Sequence, residues 1–185
     1  MKINMGCGFN KIPGFINVDK FMECSPDFQM DIEKFPWPMD TNMVEEVVFN
    51  HCLEHLGQDT DVFMGMIQEL YRVSKDNAKI CINVPHPRHD NFISDPTHVR
   101  IINYGVLSLL SKKLNLYWQE IHASNSPLAL YWDVDFEVVE QVYVLDPYYK
   151  NLLESNALTN EDIERFMQER NNVVSEIQFV LRVRK

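Results

Sequence analysis

The residues able to do chemistry fall into four tight groups. The first is Gly6-Cys7-Gly8, set between two short apolar stretches at 2–5 and 15–18, with the acid Asp19 closing the second. Both stretches read as strands. The glycines let the backbone turn sharply or let a ligand come close. An acid at a strand end can accept both hydroxyls of a ribose, so strand, glycine turn, strand and acid together form the ribose-binding half of a nucleotide site in open α/β sheets. The second group is Asp31-Ile32, where a short third strand would end. The third, Asn50-His51-Cys52-Leu53-Glu54-His55, leaves the β-branched and aromatic run at 44–50. The fourth, His86, His89, Asp95 and His98, lies in the stretch 85–100, a loop on composition.

The elements that must position these groups follow from periodicity. Asp59 or Thr60 can cap a helix whose stripe is Val62, Phe63, Met66, Ile67, Leu70 and Tyr71. Residues 74–77 read as a turn, and 79–84 as a strand stopped by Pro85. Strand, helix, strand at that spacing predicts a parallel pair. Phe35-Pro36-Trp37-Pro38 excludes helix and central strand. Asn103 caps a helix running to Lys113, 118–130 carries no clear period, and 132–145 and 176–184 read as strands. Residues 146–172 look helical, with Thr159 and Asp162 in capping-box positions. Ile163, Phe166, Met167 and Arg170 share one face, expected to pack on the sheet, with dimerisation as its second use.

The expected fold is α/β: a Rossmann-like, mostly parallel sheet with helices on both faces and a C-terminal antiparallel hairpin. One domain over 1–185 is expected, with the cofactor-binding half in 1–100 and cap helices and closing strands in 101–185. A net charge of −10 argues against broad binding to nucleic-acid phosphates. The four cysteines, at 7, 24, 52 and 81, have no CxxC spacing, which suits reduced thiols rather than disulfides or zinc. The N-terminal residues have no signal pattern, and no apolar run approaches the ~18 residues that span a bilayer. The expected location is cytoplasmic, without membrane.

In order along the chain, Asn4, Gly6-Cys7-Gly8, Pro13-Gly14, Asn17, Asp19, Asp31, Pro36-Trp37-Pro38, His51, Leu53-Glu54-His55-Leu56 and Glu69…Arg72-Val73 resemble class I S-adenosylmethionine-dependent methyltransferases, most of all a small type with GCG…D…D…H-x-LEHL motifs. The resemblance covers roughly 1–100. It implies S-adenosyl-L-methionine as cofactor. The backbone at Gly6, Cys7 and Gly8 would lie beside its methionine part. Asp19, with Lys20 following, would take the ribose hydroxyls. Asp31 would take the adenine amino group, with Ile32 packing on the ring. Asn50 and His51 would line the methyl-transfer site. The activity implied is methyl transfer to an oxygen or nitrogen of a small or medium-sized acceptor. For the base, His98 is the first expectation, beside His51 and His86, since histidine suits proton transfer near neutral pH.

Ten residues separate Gly8 from Asp19, against ~20 between glycine motif and acid in a full nucleotide-binding unit. The first helix must therefore shrink to a turn, which removes the helix N-terminus that would hold the cofactor's carboxylate. Lys11 is the expected substitute. A small-molecule acceptor and a second copy of the chain, covering an exposed edge, are the expected partners. Two rival readings stand: a degenerate methyltransferase-like binding or scaffold subunit, and a metal-dependent hydrolase on His86, His89, Asp95 and His98. His51 and His55 are four apart, as metal ligands can be, but no third ligand is evident beside them, and no metal is expected.

Overall fold

Two short parallel strands, β1 (Lys2–Met5) and β2 (Ile16–Asp19), pair in register from Ile3 opposite Ile16, and no helix joins them. The computed structural model describes all 185 residues. Parallel neighbours normally need a crossover of a dozen or more residues, usually helical. Here two buried asparagines take its place. Asn4 Nδ2 donates to the Asn10 carbonyl (3.0 Å) and to Asn17 Oδ1 (3.0 Å), which also accepts from Ile12 N–H at 2.8 Å. Asn17 donates its backbone N–H (2.9 Å) and Nδ2 (2.7 Å) to Asp27 Oδ2. The connection is thus satisfied by side chains, the route open to a buried turn with few backbone partners.

Strands β3 (Phe28–Gln29), β4 (Val44–Asn50) and β5 (Ser74–Pro85) extend the parallel set. With β6 (Phe136–Leu145) and β7 (Val174–Val183) the sheet has seven strands in the order β3-β2-β1-β4-β5-β7-β6. Strand β7 is antiparallel to both neighbours, as expected of the C-terminal pair. Residues 74–77 belong to β5 rather than to a free turn. Ser74 pairs with Val44 and Lys79 with Glu46, so the intervening residues bulge out, with Asn77 at φ 60°.

Helix α1 (Thr60–Val73) starts at Asp59, whose carboxylate accepts from Asp61 N–H at 2.8 Å, and buries Phe63, Met66, Ile67 and Leu70. The loop 85–100 contains one short turn of helix, α2 (Asp90–Ile93). The helix expected over 103–113 is two: Asn103 caps α3 (Tyr104–Ser108), then Ser111 starts α4 (Lys112–Glu120) by accepting from Leu114 N–H. A serine that can bond a new N-terminus offers the chain an alternative to continuing. Helix α5 (Leu128–Tyr131) and Asp133 at φ 51° delay β6 to Phe136. Ile80, Ile82 and Leu181 meet α1 and α3 on one sheet face, whereas Val48, Cys81 and Val180 on the other are only half-covered.

Between β6 and β7 the chain forms α6 (Pro147–Glu154) and α7 (Asn160–Glu169), the latter with the expected Thr159–Asp162 capping box. Its apolar stripe does not pack on the sheet. Ile163, Phe166 and Val173 form a separate cluster with Tyr149 and Leu153 of α6, and the Arg170 guanidinium covers the Phe166 ring at 3.6 Å. Because β6 pairs directly with β7, the helices project from the sheet edge and must bury their stripes on each other.

The proline-rich segment is fastened to α1. Glu69 Oε2 accepts from Trp37 N–H (2.6 Å) and Arg72 Nη2 (2.7 Å), while Arg72 donates to the carbonyls of Met39 (2.8 Å) and Trp37 (3.0 Å). Arg72→Ala should lower unfolding stability by about 2 kcal/mol, read by urea denaturation, since it leaves a part-buried carboxylate and two carbonyls short of donors. Arg72 holds the Glu69 carboxyl below its usual range. A depressed folded pKa contributes stability that is present above the unfolded value, ~4.3, and is lost as pH falls. The gap between wild type and variant should therefore narrow in acid.

Candidate functional site

At the carboxyl edge of β1, β2 and β4 lies a cavity of about 420 Å³, within the ~300–1,000 Å³ usual for small-ligand sites. It collects Gly6, Asp19, Lys20, Asp31, Ile32 and His51 of the residues expected to act there. Asp19 is nearly buried and held on both sides. Its Oδ2 accepts from Gly8 N–H at 2.8 Å and its Oδ1 from Phe21 N–H at 2.9 Å. Each oxygen keeps a lone pair for one further donor. Asp31 Oδ1 accepts from Glu33 N–H at 3.1 Å, and the neighbouring Met30 and Ile32 are apolar and buried.

Gly6, which lines the cavity, also has a packing reason to be glycine. At φ 65° it occupies the left-handed region, and a Cβ there would lie 2.1 Å from Cys52 Sγ. The missing side chain makes room for Cys52, whereas Gly8, at φ 49°, has open space beside it. Cys52 is buried, and that burial pushes its thiol up to about 12, so it is a packing group and no nucleophile.

The other expected residues divide between cavity and surroundings. Cys7 is buried beneath the turn and does not line the cavity. Lys11 does not stand in for a helix N-terminus: its Nζ pairs with Asp27 Oδ1 at 3.6 Å, away from the cavity. Asn50 accepts from Asn83 Nδ2 at 3.1 Å and does not line the cavity either. His51 does, at φ 48°, a strained conformation for a histidine. Its Nε2 is 2.6 Å from Glu176 Oε2 and its Nδ1 3.6 Å from Glu54 Oε1. Glu54 first and Glu176 second raise its pKa against the opposing effect of burial.

His86 stands apart from the cavity, its Nδ1 accepting from Arg88 N–H at 3.2 Å, with its pKa lowered by burial and then by Arg88. His89 caps α2 and faces Asp146 at 3.3 Å. His98 lies behind the cavity, stacked on Phe92, with only its neighbour Thr97 on the lining. Asp95 pairs with His98 at 3.8 Å, but His86 and His89 are engaged elsewhere, so the four do not form one ligand set and the hydrolase reading loses it.

No family model matches the sequence, and no curated protein matches it. Solved structures do. A SAM-dependent methyltransferase from Archaeoglobus fulgidus matches over 98% of this chain and 85% of its own, at 19% identity and TM-score 0.54. The YcgJ protein from Bacillus subtilis matches over 100% and 91%, at 12% identity and TM-score 0.55. Phosphoethanolamine N-methyltransferase 2 from Haemonchus contortus, in complex with S-adenosyl-L-methionine, matches over 100% of this chain and 48% of that longer one, at 14% identity and TM-score 0.50. The chain has the methyltransferase fold. At such identities the likeness speaks to backbone architecture and leaves the acceptor open. No helix is long and apolar enough to cross a membrane.

Within this methyltransferase fold the residue to which sequence reasoning gave no role of its own is Glu54, read only within the run at 50–55. It sits in a short turn of 3-10 helix, Leu53–His55, directly after β4. Its carbonyl accepts from Val99 N–H (2.9 Å) and Arg100 N–H (3.1 Å), which draws the loop after β5 against it and brings in His98. An acid-histidine pair at one strand end, with another histidine in the next loop along the same edge, was the available signal.

Proposed function

We propose that the chain transfers a methyl group from S-adenosyl-L-methionine to an oxygen or nitrogen of a small or medium-sized acceptor. The observation that carries this is Asp19, locked by two backbone N–H groups at the mouth of a cavity that also holds Asp31 and Ile32. These residues fit an adenosyl group. Asp19 binds the ribose hydroxyls, Asp31 the adenine amino group, and Ile32, Met30 and Leu56 supply apolar contact for the ring. When bound, the cofactor supplies an electrophilic methyl on a sulfonium. The chain's part is then alignment, which can contribute ~7–11 kcal/mol, and removal of the acceptor's proton. Of the three histidines expected as base, His51 lines the cavity and is the one this reading selects.

Isothermal titration with S-adenosylhomocysteine should show saturable binding at one site per chain. Folded protein that binds none at millimolar ligand would sink the proposal. One observation favours a second reading, a catalytically degenerate binding subunit: the turn after β1 has no helix N-terminus, and Lys11 is engaged with Asp27. The same titration separates the two.

A further inference from the structure

Glu54 is 1% exposed, and neither carboxylate oxygen has a hydrogen-bond partner. Leaving a buried carboxylate without a donor costs several kcal/mol. What faces it is imidazole. Glu54, His55 and His98 each turn one ligand-capable atom toward the others, all within 4.8 Å of one another. His98 Nε2 stands 4.0 Å from Glu54 Oε1.

The outer hydrogen bonds fix which nitrogens are free. His98 Nδ1 is 2.9 Å from the Phe92 carbonyl oxygen, which can only accept, so Nδ1 carries the proton. His55 Nδ1 is 2.9 Å from Thr97 Oγ1. That hydroxyl donates its one proton to Asp95 Oδ1 at 2.6 Å, so from His55 it accepts. In the neutral form each ring then keeps its lone pair on Nε2. Two imidazoles and a carboxylate thus share one small space with no hydrogen bond among them, and His98 Nε2 also stands 3.8 Å from Asp95 Oδ2. Histidines whose second N–H is tied to a carbonyl or to a hydroxyl–carboxylate relay are the usual outer layer of a metal centre.

We infer that Glu54, His55 and His98 bind a divalent transition-metal ion of the zinc type. Two imidazoles and one carboxylate suit zinc and its neighbours rather than magnesium or calcium, which favour all-oxygen sets. Tetrahedral ligands at about 2.1 Å from zinc lie about 3.4 Å apart, so atoms spread over as much as 4.8 Å close by up to about 1.4 Å on taking the ion. His55 and Thr97 also line the cavity, so the fourth position faces it. An acceptor hydroxyl on that position would lose its proton more readily. This last step rests on the methyl-transfer reading; the ion site itself does not.

The competing source of balance is His51, whose Nδ1 is 3.6 Å from Glu54 Oε1. The test uses the full chain without a polyhistidine tag, stripped by chelator. It is titrated with Zn²⁺ by calorimetry and with Co²⁺ by absorption. The expected result is one ion per chain, visible Co²⁺ bands of a low-coordinate site, and a rise in Tm with Zn²⁺. Glu54→Gln and His98→Gln should each weaken binding at least roughly 10–100-fold, with circular dichroism confirming that both remain folded. Folded wild type that takes up no stoichiometric Zn²⁺ overturns the inference, as does unchanged affinity in both variants. Loss of metal-free stability in His51→Ala, together with no ion bound to wild type, would assign the compensation to His51 instead. Titrating the same samples with S-adenosylhomocysteine keeps the two proposals apart: nucleoside binding without Zn²⁺ binding defeats only this one, and the converse defeats only methyl transfer.

Discussion

Gly6→Ala is expected to destabilise the protein by about 3 kcal/mol. Two costs add. A left-handed backbone costs a residue with a Cβ about 1–2 kcal/mol. Inserting a methyl into filled space costs about 1–3 kcal/mol, and here the new carbon would overlap Cys52 Sγ at 2.1 Å. Urea unfolding gives the number, and a second substitution separates the two costs. In Cys52→Ala the sulfur is gone, though the Cβ remains 3.0 Å from the position in question. Adding Gly6→Ala to Cys52→Ala should therefore cost less than adding it to wild type, by ~1 kcal/mol or more, while the backbone cost stays. Equal penalties in both backgrounds would mean that Cys52 does not fill the space beneath the turn.

Asp19→Ala should weaken S-adenosylhomocysteine binding by about 100-fold or more. Hydrogen bonds to a charged group contribute ~1.5–3 kcal/mol each, and a ribose offers two hydroxyls. Because the same carboxylate accepts from Gly8 and Phe21, the alanine variant also orphans two N–H groups and should lose Tm without ligand. Asp19→Asn is the control. It keeps the volume and one acceptor oxygen but sets an amide N–H₂ against one of the backbone donors. If Asp19→Ala retains wild-type nucleoside affinity, the cavity is not a ribose site.

Much of the scaffold could be read from the chain because its signals are local. Strands β1 and β4 and helix α1 sit where alternation, β-branching and the 3.6 period put them. The missing first helix follows from the short interval between Gly8 and Asp19. What could not be read depends on contacts between distant segments. Asn4 and Asn17 look like motif letters, yet their work is to replace a helix with side-chain hydrogen bonds. Lys11 was free to face the cavity until Asp27, sixteen positions on, provided a nearer partner. Ser111 gave no warning that it would split a helix. Glu54 and His98 are forty-four positions apart, joined through the Glu54 carbonyl, bonded to Val99 and Arg100, and through His55 and Thr97.

The crossing from Pro85 to Arg100 is pinned at both ends. At one end the Asn172 N–H reaches the Arg88 carbonyl, and Asp90 N–H reaches Asn172 Oδ1 at 2.8 Å. At the other, Arg100 grips the Gly57 carbonyl and lies over the Phe63 ring at 4.1 Å. A strap buckled at both ends does not swing like a flap. Thr97, the residue it sets on the cavity, hangs between those two buckles, and discrimination by bulk then falls to the side chains that border the opening.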